Sequence, residues 1–312
     1  MNLSDYLALK TAPSQKDGLS ALINALAQSA IYISGLASQN GLNAASLGAL
    51  AGGENDDGDS QKQLDVLADE HIAKMAKIGG ASHYFSEERS EALCFNANAE
   101  FALAADPLDG SSNIDTNLTI GTIFSIFKTA DIKDGLPPCG RMQQAAGLFV
   151  YGPQTALLLS FGDEVKAFAL SQDGLFEEMA WDVNIPADAD EFAINASNAL
   201  RWPGEVKAYI DSLVQNQSNM RWLGSLVADA FRIFRRGGIF LYPSDSRKGY
   251  EQGRLRLVYE ANPIAFLVQA AGGAATTGTH DILDVPVVTI HQRVPLIFGS
   301  LQQVKSFLSF IH

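Results

Sequence analysis

Two acids stand three residues apart in the stretch FALAADPLDGSSNID, directly after a run of small and apolar residues. The run at Phe101–Ala105 predicts a strand, and Pro107 should end it because proline cannot donate a hydrogen bond to the ladder of a sheet. Gly110 permits a tight turn. Asp106 and Asp109 can therefore converge on one point, where carboxylates would suit a cation.

Three small residues follow the second acid, and their backbone amides should lie exposed at the start of a turn or helix. Backbone N–H groups in that position suit an anion such as a phosphate. These residues are Gly110, Ser111 and Ser112. The segment therefore predicts a cation site beside a phosphate site, although an isolated motif of this kind is equally typical of a loop whose acids bond the backbone.

Further acids occupy comparable positions along the chain. They are Asp59, Asp65, Glu87, Glu88 and Glu260. Carboxylates gathered in one site repel one another, and hard divalent cations with oxygen ligands are the usual means of holding them together. Mg2+ is the expected ion, with Mn2+ as the other candidate. The sequence by itself does not show that these acids meet.

A loop followed by a helix should position the first two of these acids. GGENDDGDSQ reads as a loop, Ser60 is a plausible N-cap, and apolar residues then recur at helical spacing until Gly79 and Gly80 stop the helix. Upstream, the segment 18–53 contains no charged residue, and polar residues recur there at helical spacing. It predicts an amphipathic helix and a second short one, buried against the body of the protein or a partner subunit rather than spanning a membrane.

Strand-like and helical patterns alternate in the second half, which predicts an α/β protein of sheets covered by helices. The predicted strands are Phe101–Ala105, Thr119–Phe127, Thr155–Phe161, Val165–Leu170, Glu191–Ala196, Gly238–Tyr242 and Val294–Phe298. The predicted helices are Glu205–Asn216, Ser225–Arg236, Pro263–Ala271 and Leu301–Ile311.

Composition excludes several classes of function. The chain has 312 residues, 47% of them hydrophobic, which is enough to bury a sizeable core. Its net charge of −13 argues against nucleic acid and anionic membranes as partners, so a phosphate ligand needs bound cations or a local basic pocket. Two cysteines without CxxC spacing, and a start that is unlike a signal peptide, predict a reducing, cytoplasmic location.

Collinear motifs from about Gly52 to Phe310 resemble those of the class I fructose-1,6-bisphosphatases. They are DPLDGSSNID followed by GTIF, then GSLVAD, GGIFLYP, GRLRLVYEANP, AGGAATTG and LDV…IHQR. The resemblance implies a layered αβαβα sugar-phosphatase fold in one chain with approximate halves 1–185 and 186–312. It also implies hydrolysis of the 1-phosphate of fructose 1,6-bisphosphate, in gluconeogenesis or the Calvin cycle, with two or three Mg2+ per site in a homotetramer or at least a dimer.

The resemblance also assigns roles at the metal site. It implies that the metal ligands are Glu87, Asp106, Asp109, Glu260 and the carbonyl of Leu108. Asp59 would add a ligand when its loop closes. Glu88 and Asp65 resemble the residues that orient and deprotonate the attacking water, and Gly110–Ser112 would hold the phosphoryl oxygens.

Further residues resemble the family's contacts to the sugar and its second phosphate. They are Asn195, Tyr242, Arg254 and Arg256, with Arg221 entering from a neighbouring subunit. Two positions depart from the family pattern: Trp222 and Asn198 each stand where a tyrosine is usual. An indole donates only through its ring N–H, which puts one phosphate contact in doubt. Arg254, where lysine is common, keeps the positive charge.

Two alternatives share part of this pattern. A sedoheptulose-1,7-bisphosphatase, or an enzyme with both specificities, would carry the same motifs. A non-catalytic sugar-phosphate sensor on the same fold would not need a residue such as Glu88 to activate water. Many family members also bind AMP through a Lys-Tyr pair where this chain has Glu100 and Phe101, so weak inhibition by AMP is expected.

Overall fold

The computed structural model describes residues 1–10, 16–39, 50–54 and 60–311. Its helices are α1 Leu3–Lys10, α2 Lys16–Ser38, α3 Gln63–Ile78, α4 Gly204–Gln215, α5 Leu226–Arg236, α6 Asn262–Ala270 and α7 Leu301–Ile311. Its strands are β1 Leu50–Glu54, β2 Ser60–Lys62, β3 His83–Ser86, β4 Leu93–Cys94, β5 Phe101–Asp109, β6 Ile120–Lys128, β7 Gln143–Tyr151, β8 Thr155–Ser160, β9 Val165–Leu170, β10 Phe176–Glu178, β11 Glu191–Ile194, β12 Asn219–Met220, β13 Ile239–Tyr242, β14 Leu255–Arg256, β15 Ala274–Thr276, β16 Arg293–Val294 and β17 Leu296–Gly299.

Two large sheets organise these strands. The first has eight strands in the order β10-β9-β8-β7-β6-β5-β3-β4 and is antiparallel except where β3 runs parallel to β5. The second has five strands in the order β12-β11-β13-β17-β15, with β11 parallel to both of its neighbours. Helices cover both sheets, as the mixed α/β pattern of the sequence predicts.

Three hydrophobic cores separate the helices and the two sheets into five layers. Helices α1, α2 and α3 share a core with one face of the first sheet, α5 and α6 fill the space between the sheets, and α4 and α7 pack on the outer face of the second sheet. The first sheet is therefore buried on both faces: on β6, Phe124 enters the outer core and its neighbour Ile123 enters the central one. This is the predicted αβαβα arrangement.

Helix α2 is the apolar segment noted in the sequence. Among the described residues it is the one helix long and apolar enough to cross a membrane, over the 21 residues Gly18–Ser38 at a mean hydropathy of 1.4. Half of that stretch is buried in the fold. Leu22, Leu26 and Ala30 lie in the core that α2 shares with α3 and the first sheet, so the predicted burial against the body of the protein is confirmed. The second short helix falls largely on residues outside those described.

Strand β5 does not end at Pro107, so that prediction is wrong. The strand continues to Asp109, with a register shift between its pairing of Asp106 with Ile123 and its pairing of Asp109 with Gly121. Three steps along β5 thus match two along β6, which is a bulge of one residue. Because side chains alternate across a sheet, the extra residue lets two acids at an odd spacing face the same side.

Other differences are smaller. Ser60 is not an N-cap, because residues 60–62 form β2 and the helix begins at Gln63. The predictions omitted the central strand β7, strand β3 and the short strands β1, β2, β4, β10, β12, β14 and β15. Helix α3 ends at Ile78, before the two glycines, as predicted.

Candidate active site

One cavity of about 570 Å³ gathers most of the predicted site residues. Those that line it are Asp65, Glu87, Glu88, Asp106, Leu108, Asp109, Gly110, Ser111, Ser112, Asn195, Tyr242, Arg254, Arg256 and Glu260. They come from helix α3, the ends of strands β3, β5, β11 and β13, and the segment after β13. Carboxylates, backbone amides and two arginines therefore share one space.

Three buried carboxylates form the centre of this cavity. Ligand oxygens of Asp106, Asp109 and Glu260 all lie within 4.8 Å of one another. Such spacing suits an oxygen-coordinated divalent cation, and the donor set is that of Mg2+ or Mn2+ sites. Glu260 lies in a π-helical turn, Leu257–Ala261, that precedes α6.

Hydrogen bonds within β5 and from the neighbouring strand β6 hold the bulge in β5. The Leu108 amide donates to Asp106 Oδ1 at 3.0 Å. Thr122 Oγ1, on β6, donates to the carbonyl of Pro107 at 2.8 Å and also bonds the Tyr151 hydroxyl at 2.8 Å. These bonds fix the peptides between the two acids, so the position of the predicted Leu108 ligand is determined by the neighbouring strands.

Asp109 reaches across to the start of helix α5. Its Oδ2 accepts hydrogen bonds from Ser225 Oγ and the Val227 amide, each at 2.9 Å. Gly110 follows with φ +79°, and a Cβ built there would lie 2.8 Å from the Ser225 Cβ. Only glycine fits this turn without strain. The 3-10 turn Ser111–Asn113 then begins, as the sequence predicts for the amide-bearing segment.

Glu87 and Glu88 directly follow strand β3. The Glu87 amide donates to the Ala105 carbonyl of β5 at 3.1 Å, which places the two strand ends side by side. Arg256 Nη2 lies 3.8 Å from Glu87 Oε1, and the Arg256 amide donates to Glu260 Oε2 at 2.5 Å. One arginine thus contacts two of the acids.

Burial raises the pKa of the acids in this cluster. It is the largest cause for Glu87, Asp106 and Asp109, with the charge of Glu260 next for Glu87 and the charge of Glu87 next for Asp106. Burial also raises the pKa of Glu260 to about 7, against the lowering effect of the Arg256 amide. A bound cation would favour the ionised forms of such acids, so the cluster is suited to hold one.

Comparison with known proteins identifies the family. The model described as "Fructose-1-6-bisphosphatase, N-terminal domain" matches residues 7–179, and its C-terminal counterpart matches residues 185–312. The chain is 47% identical to a class 1 fructose-1,6-bisphosphatase of Rhizobium meliloti over 97% of its length and 90% of the relative's. The chain belongs to the class 1 fructose-1,6-bisphosphatase family.

Solved fructose-1,6-bisphosphatases have the same fold. The holo form from Leishmania major superimposes with a TM-score of 0.93 at 29% identity, covering 100% of this chain and 99% of that one. The apo form of that protein gives a TM-score of 0.87 at 28% identity, covering 99% and 98% of the two chains. A class 1 relative from Rhodopseudomonas palustris is 46% identical over 97% of this chain and 90% of its own length.

The two departures from the fructose-1,6-bisphosphatase pattern differ in their placement. Trp222 lines the cavity and stacks on Phe240, with ring centroids 5.7 Å apart. Asn198 is buried outside the set of lining residues, and its Oδ1 accepts from Arg201 Nη1 at 3.5 Å. The indole therefore borders the cavity, whereas the amide serves a local contact.

Among the described residues, one predicted site residue of this family member, Arg221, does not line the cavity. Arg221 is exposed, donates to the Met220 carbonyl at 2.9 Å and borders an adjacent hollow with Asn195 and Trp222. Asp59 and residues 55–58 lie outside the described residues, so the predicted closure of that loop stays a prediction. The rest of the predicted loop, 52–54 and 60–61, belongs to strands β1 and β2, so that part of the loop prediction is wrong.

Sequence reasoning missed two residues that shape the site. Ser225 lines the cavity and bonds Asp109. Asp229, on the first turn of α5, accepts hydrogen bonds from the Leu223 and Gly224 amides, and burial raises its pKa to about 7. The motif GSLVAD carried the signal, because a serine and an acid flank a helix start where orphan amides need partners.

Proposed function

We propose that this protein hydrolyses the 1-phosphate of fructose 1,6-bisphosphate, giving fructose 6-phosphate and inorganic phosphate. The observation that carries the proposal is a single cavity lined both by the acid cluster of Asp106, Asp109 and Glu260 and by Arg254 and Arg256. Carboxylates for the cations that would hold one phosphate, and arginines for a second phosphate, match a substrate with two phosphates. Family membership supports the same activity.

The acids fit divalent cations, for which Mg2+ is our first choice and Mn2+ our second, at two or three per site. Glu87, Asp106, Asp109, Glu260 and the Leu108 carbonyl would hold them, and Asp59 would join when its loop closes. Bound divalent cations supply positive charge that lowers the pKa of water and neutralises phosphate. The raised carboxyl pKa values support this assignment, because a bound cation stabilises the ionised forms.

Hydrolysis requires a water oxygen to attack phosphorus while the bond from phosphorus to the sugar oxygen breaks. Glu88 and Asp65, which border the cavity, would orient that water and accept its proton. The amides of the segment 110–112 would hold the phosphoryl oxygens where negative charge develops. The departing sugar oxygen takes up a proton from solvent water, and the proton held by the carboxylate returns to solvent when phosphate leaves.

Other residues of the same cavity would bind the rest of the substrate. Asn195, Tyr242, Arg254 and Arg256 all line it, and an arginine can bind phosphate through two parallel hydrogen bonds. Arg221 would serve the site of an adjacent subunit, which makes a homo-oligomer the active unit and a tetramer our preferred assembly. The two cysteines of the chain, Cys94 and Cys139, are free, in keeping with work in the cytoplasm.

Steady-state kinetics with purified protein test the proposal. We expect Mg2+-dependent release of phosphate from fructose 1,6-bisphosphate, loss of turnover in EDTA, and a higher kcat/KM than for sedoheptulose 1,7-bisphosphate. Turnover that persists in EDTA after dialysis would contradict the metal assignment. A higher kcat/KM for the seven-carbon substrate would assign the second specificity, and tight binding without turnover would indicate a sensor.

A further inference from the structure

We infer that Asp69 is a positioning residue for the proposed phosphatase reaction, an inference that rests on the proposed function. Asp69 does not line the cavity and is only 5% exposed. It lies on α3 one turn after Asp65, which does line the cavity. A buried acid so near the site, with no part in the reaction as described above, needs an explanation from its partners.

Both carboxylate oxygens of Asp69 are engaged by the segment that carries Glu87 and Glu88. Its Oδ1 accepts from Ser86 Oγ at 2.7 Å, and its Oδ2 lies 2.6 Å from Arg89 Nη2. Ser86 and Arg89 flank the two glutamates in sequence. Charge-assisted hydrogen bonds of this length are short and directional, so Asp69 ties both ends of the glutamate segment to helix α3.

The bonds continue from Asp69 to the backbone of Glu88. Ser86 Oγ donates to Asp69 and accepts from the Glu88 amide at 3.2 Å. The Arg89 carbonyl in turn accepts from His291 Nε2 at 3.0 Å. The relay from α3 through the Ser86 hydroxyl therefore ends on the residue assigned to water activation, and the far side of the segment is anchored separately.

Asp69 thus links the two groups that would handle the attacking water. Asp65 lies on α3 and Glu88 follows β3. The distance between them therefore depends on how firmly the helix is joined to the end of that strand. A misplacement of reacting groups by 1 Å can cost about 100-fold in rate. Removal of the link should therefore slow turnover without removing any group that contacts substrate.

Tyr84 provides a matched control. Its hydroxyl donates to the same Asp69 Oδ1 at 3.0 Å, from a buried position two residues before Ser86. Ser86→Ala and Tyr84→Phe each delete one hydroxyl and one hydrogen bond to that oxygen, but only Ser86 also holds the Glu88 amide. Comparable losses of stability with different losses of kcat would separate positioning from general destabilisation.

The experiment measures kcat and KM for fructose 1,6-bisphosphate at saturating Mg2+, together with thermal unfolding of each variant. We expect Ser86→Ala and Asp69→Ala to lower kcat by about 10-fold or more with KM within twofold, and Tyr84→Phe to stay within about twofold of wild type in both. Equal losses of kcat in Ser86→Ala and Tyr84→Phe, or no loss in Ser86→Ala, would overturn the inference. Should Asp69→Ala fail to fold, the comparison of Ser86→Ala with Tyr84→Phe decides alone.

A second comparison uses Glu88→Gln as the background. If Ser86 acts through Glu88, adding Ser86→Ala to that variant should lower kcat by less than twofold further, because coupled residues are not additive. A further loss as large as in the wild-type background would overturn the inference. Failure of the proposed function is separable, since wild type would then not hydrolyse fructose 1,6-bisphosphate at all, and the same variants would be compared on whichever sugar phosphate it does hydrolyse.

Discussion

Asp109 Oδ2 and Ser225 Oγ lie 2.9 Å apart, joining the end of strand β5 to the residue before helix α5. The same carboxylate oxygen accepts the Val227 amide, so Asp109 both faces the acid cluster and caps a helix from the second half of the chain. Helix N-termini stabilise negative charge, which opposes the effect of burial on Asp109. This contact therefore joins the acid cluster to the helical layer between the two sheets.

The closeness of Ser225 to Gly110 predicts a strict requirement for glycine at position 110. Gly110→Ala should reduce kcat and lower the unfolding temperature, because φ is +79° and the new Cβ would meet Ser225 at 2.8 Å. Gly135→Ala is the control: φ there is +76°, but nothing lies within 4 Å of the added Cβ. Left-handed strain alone costs about 1–2 kcal/mol, so Gly135→Ala should lose about that much stability. Gly110→Ala should lose more because of the clash with Ser225, and only this variant should lose activity. Equal activity in the two would show that the Ser225 contact is unimportant.

Glu88→Gln should lower kcat by roughly 10²–10⁴-fold, the usual range for losing a general base. Binding of Mg2+ and substrate should change little, because the amide keeps the shape of the side chain. Glu91→Gln, on an exposed neighbour in the same segment, is the control and should match wild type. An unchanged kcat in Glu88→Gln, measured by phosphate release, would remove Glu88 from the mechanism.

The metal-free protein should lose stability as pH rises. Glu260 has its ordinary pKa of 4.5 in the unfolded chain and about 7 in the fold, so between these values the folded state holds a proton that the unfolded state has released. This contribution is present below pH 4.5 and is lost on rising through about 7, at up to about 1.4 kcal/mol per pH unit. Thermal unfolding in EDTA at pH 5 to 8 measures it. The decline should shrink in Glu260→Gln and reverse at saturating Mg2+; a flat profile in EDTA contradicts it.

Hybrid oligomers should test whether Arg221 serves an adjacent site. Arg221→Ala chains and Glu88→Gln chains, each nearly inactive alone, should regain activity when mixed, because some hybrid sites then combine an intact Glu88 with an intact Arg221 from the neighbour. Arg236→Ala, an exposed arginine that does not border either cavity, should be fully active and serves as control. No rescue in hybrids confirmed by mass spectrometry would place Arg221 outside the shared site.

AMP should inhibit this protein poorly. Glu100 puts a negative charge where relatives with AMP sites have lysine, and a like charge opposes binding of a nucleotide phosphate. The Phe101 ring is also buried close to α2, since a Cβ on Gly18 would lie 3.1 Å from its Cδ2. The missing charge-assisted bond corresponds to roughly 10- to 100-fold in affinity. Half-inhibition at low micromolar AMP with Mg2+ present would show that this inference is wrong.

Local sequence patterns by themselves determined several helices, strands and turns of this protein. Apolar periodicity predicted α7 at Leu301–Ile311 and β9 at Val165–Leu170, because each element shows its own apolar repeat and begins shortly after a glycine. The DPLDGSS segment predicted a carboxylate pair followed by a turn that presents amides, and Gly110 with the 3-10 turn after it confirms that turn. The family motifs supplied the remaining candidate residues, since the sequence alone gives no distances.

Tertiary structure decided which distant groups meet. Strand β7 escaped notice because its middle, residues 145–147, consists of alanine and glycine, which have low strand propensity, so its pairing with β6 and β8 decides its structure. The bulge in β5 depends on pairing with β6, and it alone lets Asp106 and Asp109 face the same side at an odd spacing. The approach of Glu260 to these acids, and of Asp69 to Ser86 and Arg89, arises from long-range packing. No local propensity encodes such contacts, because their energy appears only when the chain has folded.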